Sequence, residues 1–256
     1  MSILTDRIRA AAASGRKAVI PYLPAGFPDK IRFWEELSAL DAGGADIIEI
    51  GVPFSDPVAD GPVVEEASLR SLGLGVTLAW ILDELAGRRG ELQAGLVLMG
   101  YYNPFLQYGL KKLGEDCKKA GVAGLIIPDL PLEEMEPIST ALERFGIELI
   151  CLVGLNTPDD RLKRYAARAK GFVYFVSVLG TTGVRESLPE EVLAKLKQVR
   201  PLFSVPLALG FGISAPRQVT PFGDLIDAVV IGSALIKAVR AGTGAEGFMK
   251  AWNDQA

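Results

Sequence analysis

Eight short apolar runs, separated by helix-punctuated stretches along 256 residues, predict an α/β fold of the (β/α)8 barrel class, the TIM barrel. A parallel sheet covered on both faces buries its strands completely, so they read as near-continuous apolar runs. The runs are "AVIPYL" (from Ala18), "DIIEI" (Asp46), "GLVLMGY" (Gly95), "GLIIP" (Gly124), "ELICLV" (Glu148), "FVYFVS" (Phe172), "PLALGF" (Pro206) and "AVVIG" (Ala228). An open doubly wound sheet would show the same alternation; the count of eight and a length near 250 residues favour closure. Residues 1–256 read as a single barrel domain, with no linker or low-complexity tract.

The connecting elements follow in order. "MSILTDRIRAAAASGRK" reads as an extra amphipathic helix before the first strand, with Asp6, Arg7 and Arg9 interrupting any signal-like apolar run. Asp29 caps a helix over "DKIRFWEELSALDAGG". The longest gap between strands, Gly51 to Ala94, has room for a loop and two helices, the second over "VTLAWILDELAGRRG". It extends the second βα loop at the end of the barrel where such folds carry their sites. A helix starts at "NPFLQYG", Thr157 and Pro158 open another over "TPDDRLKRYAARAKG", and Ser214 opens one over "SAPRQVTPFG". The sixth βα loop, "VLGTTGVRESLPE", is also extended.

Composition narrows the chemistry. A formal net charge of −4 and a pI near 5.1, without a Lys/Arg cluster, leave no basic footprint for nucleic acid. No apolar run approaches the roughly 18 residues that span a membrane, so the expectation is a cytoplasmic protein without a membrane or nucleic-acid partner. Cys117 and Cys151 are too few for a disulfide framework or a thiolate metal site and read as core residues. The chain has no histidine, which removes the commonest metal ligand and the commonest general acid or base together. No metal site is expected, and proton transfer falls to Asp, Glu, Tyr, Lys or Cys.

Candidate site residues cluster at the strand ends. In "DIIEIGVPFSDPVADGP", Glu49 shares a strand face with Ile47, opposite Ile48 and Ile50. If that face is the barrel interior, desolvation raises its pKa toward the range useful in acid-base catalysis; a structural hydrogen-bond network is the alternative. Asp56 and Asp60 follow in a proline-punctuated loop. They are either turn chemistry or, beside Glu49, part of a carboxyl pair with one group desolvated and the other ionised. After strands six to eight come Gly180, Thr181, Thr182 and Gly183, then Gly210, Gly212 and Ser214, then Gly232 and Ser233. These are tight turns or a phosphate cradle, with "GSALIKAV" offering a helix N-terminus. Tyr174, on the face of Phe172 and Val176, is core or a substrate-orienting phenol. Tyr22, Phe27 and Met99 could wall a flat ring, and Tyr101, Tyr102 and Asn103 lie where the third strand gives way to a helix.

The motifs "PYLPAGFPD", "IIEIGVPFSDPVADGPVVEEA", "MGYYNP", "IIPDLPLEE", "FVYFVSVLGTTGVR", "LGFGIS" and "VIGSALI" occur in the order and spacing of one family. On them the chain resembles the tryptophan synthase α subunit family over essentially its whole length; the second and fifth motifs are the specific ones. The resemblance implies retro-aldol cleavage of indole-3-glycerol phosphate to indole and glyceraldehyde 3-phosphate, in the last steps of L-tryptophan biosynthesis. It implies Glu49 as the principal acid-base and Asp60 facing the indole N–H. Tyr22, Met99, Tyr101 and Tyr174 would surround the substrate, with Thr182 in a closing loop and Gly183, Gly212, Gly232 and Ser233 on the phosphate.

The same resemblance implies no cofactor in this chain, pyridoxal phosphate in a β-subunit partner, and an αββα heterotetramer. Pro53, Asp56, Asn103 and Pro104 match the docking surface, which turns Asp56 toward the partner. Tyr22 stands where members often have phenylalanine, and Val178 and Leu179 where some place an arginine. A free-standing lyase and a scaffold kept to activate the partner are the competing readings.

Overall fold

The apolar runs become strands because β-branched and aliphatic side chains can be buried on both faces of a parallel ladder. The computed structural model describes residues 2–177, 190–210 and 212–255. Its strands are β1 (Ala18–Pro24), β2 (Ile47–Gly51), β3 (Gly95–Met99), β4 (Val122–Ile126), β5 (Glu148–Gly154), β6 (Val173–Val176), β7 (Leu207–Gly210) and β8 (Ala228–Ile231). They pair in parallel in sequence order, and β8 returns to β1 to close the barrel. The described helices are α1 (Ile3–Ala13), α2 (Lys30–Ala42), α3 (Pro62–Gly73), α4 (Leu78–Gly87), α5 (Tyr102–Tyr108), α6 (Leu110–Ala120), α7 (Met135–Glu143), α8 (Asp159–Ala166), α9 (Glu190–Val199), α10 (Ser233–Arg240) and α11 (Gly244–Asn253).

Side-chain parity sorts the strands into two cores. Ile47, Val97, Ile126, Ile150, Phe172 and Tyr174 pack inside the barrel, whereas Ile48, Ile50, Leu98 and Phe175 pack outward against the helices. The expected extra helix is present as α1, and it is the stopper of the barrel floor: its Leu4, Ile8 and Ala11 belong to the interior cluster. Leu4 is keyed into the strands so closely that a Cβ on Gly95 or Gly124 would sit 3.1 or 2.9 Å from its methyls. Burial of a leucine of this kind contributes roughly 1.5–3 kcal/mol. Ser2 caps α1 by accepting from the Thr5 N–H at 3.1 Å, and its own hydroxyl donates to Glu148 at 2.7 Å.

Helix caps appear where the sequence puts them. The Asp29 carboxylate accepts from the Ile31 and Arg32 N–H groups at 3.1 and 2.9 Å, and the gap between β2 and β3 holds the two expected helices, α3 and α4. The expected helix after Ser214 does not form. Two 3-10 segments, Pro216–Gln218 and Thr220–Leu225, stand there instead. Pro216 and Pro221 each lack a backbone donor, and Gly223 at φ 45° turns the chain out of helical geometry. Cys117 and Cys151 are core residues, and burial pushes both thiols up to about 12. No helix of the described residues is long and apolar enough to cross a membrane.

Candidate active site

Glu49 is the third residue of β2, and it shares the interior face with Ile47. Parallel pairing places it level with Tyr22 of β1 and Val97 of β3. It is 1% exposed, and Oε2 has no hydrogen-bond partner among the described residues. Burial, with the Asp60 charge as the smaller cause, raises this carboxyl to about 8. Among the described residues no hydrogen-bond network fills that oxygen.

Asp60 reaches the same place by another route. It lies in the loop between β2 and α3, which is fixed to the barrel at several points. The Val52 N–H donates to the Met99 carbonyl at 2.7 Å, the Phe54 N–H donates to Ser68 Oγ at 3.2 Å, and the Ala59 N–H donates to the Tyr101 hydroxyl at 3.0 Å. The Phe54 and Tyr101 rings stack with centroids 5.3 Å apart. Burial raises the Asp60 carboxyl to about 6, with a hydrogen bond from Tyr101 acting in the opposite direction and Glu65 adding to the rise. Tyr101 thus holds the loop and the carboxylate together, beyond the substrate contact expected of it.

Tyr22 and Tyr174 complete the wall. Both phenols are pushed well above their ordinary pKa, first by burial and then by the Glu49 and Asp60 charges they face, so both stay neutral. Each ring lies across a glycine. A Cβ on Gly51 would collide with the Tyr22 ring, and one on Gly210 would sit 2.5 Å from Tyr174. The glycines ending β2 and β7 are there because aromatic rings occupy the space of a side chain. Met99, at the end of β3, is partly buried against the same interior cluster.

The glycine side of the mouth is built from the starts of short elements. Gly232 precedes α10, whose first turn begins at Ser233 and leaves its leading N–H groups free for an acceptor. Gly232 also borders Tyr22, whose ring edge would lie 3.2 Å from an added Cβ, so the two halves of the mouth touch. Gly212 adopts φ 82° in the loop after β7. Gln218 arranges that loop: its Oε1 accepts from the Ser214 N–H at 2.7 Å, the Ser214 hydroxyl at 3.1 Å and the Ala215 N–H at 2.9 Å. Gly180, Thr181, Thr182 and Gly183 lie outside the described residues, as do Val178, Leu179 and the rest of the sixth loop.

The two aspartates of the second loop part company. Asp56 is exposed and takes the Ser55 hydroxyl, away from Glu49. Asn103 is exposed and Pro104 half-buried in the first turn of α5, whereas Pro53 is buried behind the loop. Val58 at 77% and Leu106 at 45% exposure are the large apolar groups beside them in sequence. Sequence reading missed Ser68, Gln218 and Asp129, which accepts from the Tyr102 N–H at 2.8 Å and so caps α5. All three act on the site through backbone, and only Gln218, three residues after Ala215 in a proline-led turn, left a local signal.

Known proteins resemble the chain over nearly its whole length. A family model described as tryptophan synthase alpha chain matches residues 8–253. The chain is 64% identical over 251 residues to the tryptophan synthase alpha chain of Solidesulfovibrio magneticus, with 98% of each covered. Its backbone is similar to a chain in a structure of Mycobacterium tuberculosis tryptophan synthase, with TM-score 0.90 and 31% identity over 99% of this chain and 96% of that one. It is also similar to a chain of the tryptophan synthase complex from Pyrococcus furiosus, with TM-score 0.83 and 34% identity over 93% and 96%.

Proposed function

The chain belongs to the tryptophan synthase alpha chain family, the lyase subunit that cleaves indole-3-glycerol phosphate, and we propose that its Glu49 and Asp60 carry out the proton transfers and charge stabilisation of that cleavage. The observation that carries the assignment is the buried carboxyl of Glu49, whose Oε2 has no partner among the described residues and whose charge is felt by Asp60, Tyr22 and Tyr174.

The chemistry follows from the two carboxyl groups. The bond from indole C3 to the glycerol carbon breaks heterolytically once C3 is sp3, so C3 must first accept a proton. Near neutral pH, Glu49 holds its proton and Asp60 has lost its own, given values of about 8 and about 6. Glu49 protonates C3, and Asp60 faces the positive charge that develops on the indole nitrogen. The Glu49 carboxylate then takes the proton of the glycerol hydroxyl while the carbon-carbon bonding pair returns to the ring. Indole and glyceraldehyde 3-phosphate result, and Glu49 is again protonated. Tyr22, Met99, Tyr101 and Tyr174 wall the indole; Gly212, Gly232 and Ser233 take the phosphate, joined by Gly183, with Thr182 on the closing loop.

Residues 1–256 act as one barrel domain in the cytoplasm and supply no cofactor of their own. The partner is a tryptophan synthase β subunit carrying pyridoxal phosphate, in an αββα assembly. The exposed group of Asp56, Val58, Asn103 and Leu106 supports docking at the mouth, close to the loop that holds Asp60. Indole release from indole-3-glycerol phosphate, measured alone and with a β subunit added, tests both parts. Release in either arm is the expected result, with a larger rate in the second; absence of indole in both arms removes the assignment.

A further inference from the structure

The loop that follows β7 is anchored at both ends. At its start the Gly210 carbonyl accepts from the Ser177 N–H at 3.2 Å and from the Ser177 hydroxyl at 2.8 Å. At its far end stands Gln218, a polar residue only 6% exposed. Its Oε1 takes the Ser214 N–H, the Ser214 hydroxyl and the Ala215 N–H, and its Nε2 reaches the Gly212 carbonyl at 3.5 Å.

These bonds sort the backbone donors of the loop. Pro216 has no N–H, so the donors ahead of it are those of Gly212, Ile213, Ser214 and Ala215. Gln218 occupies the last two. Among the described residues the N–H groups of Gly212 and Ile213 have no acceptor, and they are the ones left for an oxyanion.

The chemistry of the clamp is also selective. Elsewhere in the chain carboxylates take backbone donors of this kind: Asp41 accepts from the Gln93 and Ala94 N–H groups at 2.9 and 2.6 Å, and Asp129 and Asp227 accept from Tyr102 and Leu207 at 2.8 Å. A carboxylate is the stronger acceptor. In the loop after β7 the acceptor is an uncharged amide, which fills the same donors without setting a negative charge against a phosphate.

We infer that Gln218 is a positioning residue for the substrate phosphate: it fills the Ser214 and Ala215 donors with an uncharged acceptor and so presents the Gly212 and Ile213 N–H groups to the phosphate. This rests on the phosphate-binding role proposed for Gly212.

Amide hydrogen exchange in the full wild-type chain, with and without glycerol 3-phosphate, tests the sorting directly. The Ser214 and Ala215 amides should exchange slowly in both states, whereas those of Gly212 and Ile213 should exchange fast alone and slowly with the ligand. Absence of saturable glycerol 3-phosphate binding removes the phosphate site itself, and the inference with it. Binding that protects Gly212 while Ser214 and Ala215 exchange fast in the free chain overturns the role of Gln218 alone. Gln218→Met, of similar volume, should raise the glycerol 3-phosphate Kd and the KM for indole-3-glycerol phosphate about tenfold, with kcat within about threefold of wild type. A purely structural role would instead lower kcat and the melting temperature together. Gln218→Glu keeps an acceptor for the three donors; it should retain the Ser214 and Ala215 protection yet bind glycerol 3-phosphate more weakly, by a factor that shrinks as salt is added. Wild-type affinity in both variants overturns the inference.

Discussion

Asp46 immediately precedes β2 on the floor side and Glu49 lies three residues on, toward the mouth, and both carboxyl groups are buried, 8% and 1% exposed. Asp46, at the floor, has its acceptors filled: Arg16 grips it with two bonds of 2.7 Å, and the Val19 N–H donates at 2.8 Å. Glu49, toward the mouth, has an oxygen with no partner among the described residues and a second carboxyl group, Asp60, as a neighbour. The floor repeats the Asp46 pattern at Asp227, which holds Arg200 at 2.9 Å and the Leu207 N–H at 2.8 Å. A buried carboxylate in this barrel is thus a clamp when local donors fill it. Where the fold withholds them, its proton is held to higher pH.

The largest effect should come from removing ionisation at the mouth. Glu49→Gln is expected to lower indole release by about a thousandfold or more, within the range for general acid-base groups, while thermal unfolding at pH 5 changes little. Near wild-type turnover in that variant would break the contrast. Asp46→Ala should do the reverse, costing about 2–3 kcal/mol because Arg16 is half-exposed and recovers part of its hydration. Chemical denaturation measures the loss, and turnover per folded molecule should stay as it was; a matching fall in turnover would show that the floor clamp acts on catalysis.

A titration sharpens the same contrast. Burial keeps the Glu49 proton in the folded chain up to about pH 8, whereas the unfolded carboxyl, with an ordinary value of 4.5, has already lost it. The folded chain binds more protons across that interval, so stability falls as pH rises through it. Between pH 6 and pH 8 the wild type should lose about 2 kcal/mol relative to Glu49→Gln, and parallel stability curves for the two proteins would contradict a protonated Glu49. The smallest change is expected from Tyr101→Phe. It deletes the hydroxyl that holds Ala59 and Asp60, keeps the stack on Phe54, and should cost roughly tenfold in turnover. Steady-state kinetics with an unaltered melting temperature would assign the loss to loop position.

Much of the fold was legible because strand burial and helix capping are local. The eight apolar runs, the Asp29 cap and the two helices between β2 and β3 are all where the residues put them. The segment after Ser214 carries a serine and an early proline, the marks of a helix start, but the Ser214 hydroxyl donates to Gln218 instead of capping, and Pro216, Pro221 and Gly223 cut the hydrogen-bond ladder. In the site, strand parity alone turned Glu49 inward. It could not separate Asp60 from Asp56, since both sit in the same loop and only the Tyr101 hydroxyl, 42 residues from Ala59, draws one side of that loop in.

By itself the sequence determined the barrel, the inward face of each strand, and the absence of histidine that leaves proton transfer to carboxyl groups. Only the tertiary structure decided which buried groups would find partners. Arg16 meets Asp46 across 30 residues and Leu4 meets Gly124 across the floor, because closure of the barrel brings them together. Among the described residues, closure brings no donor to Glu49 Oε2 and no acceptor to Arg7 Nε or Trp34 Nε1. Direction is a property of the local backbone, whereas partnership depends on elements remote in sequence.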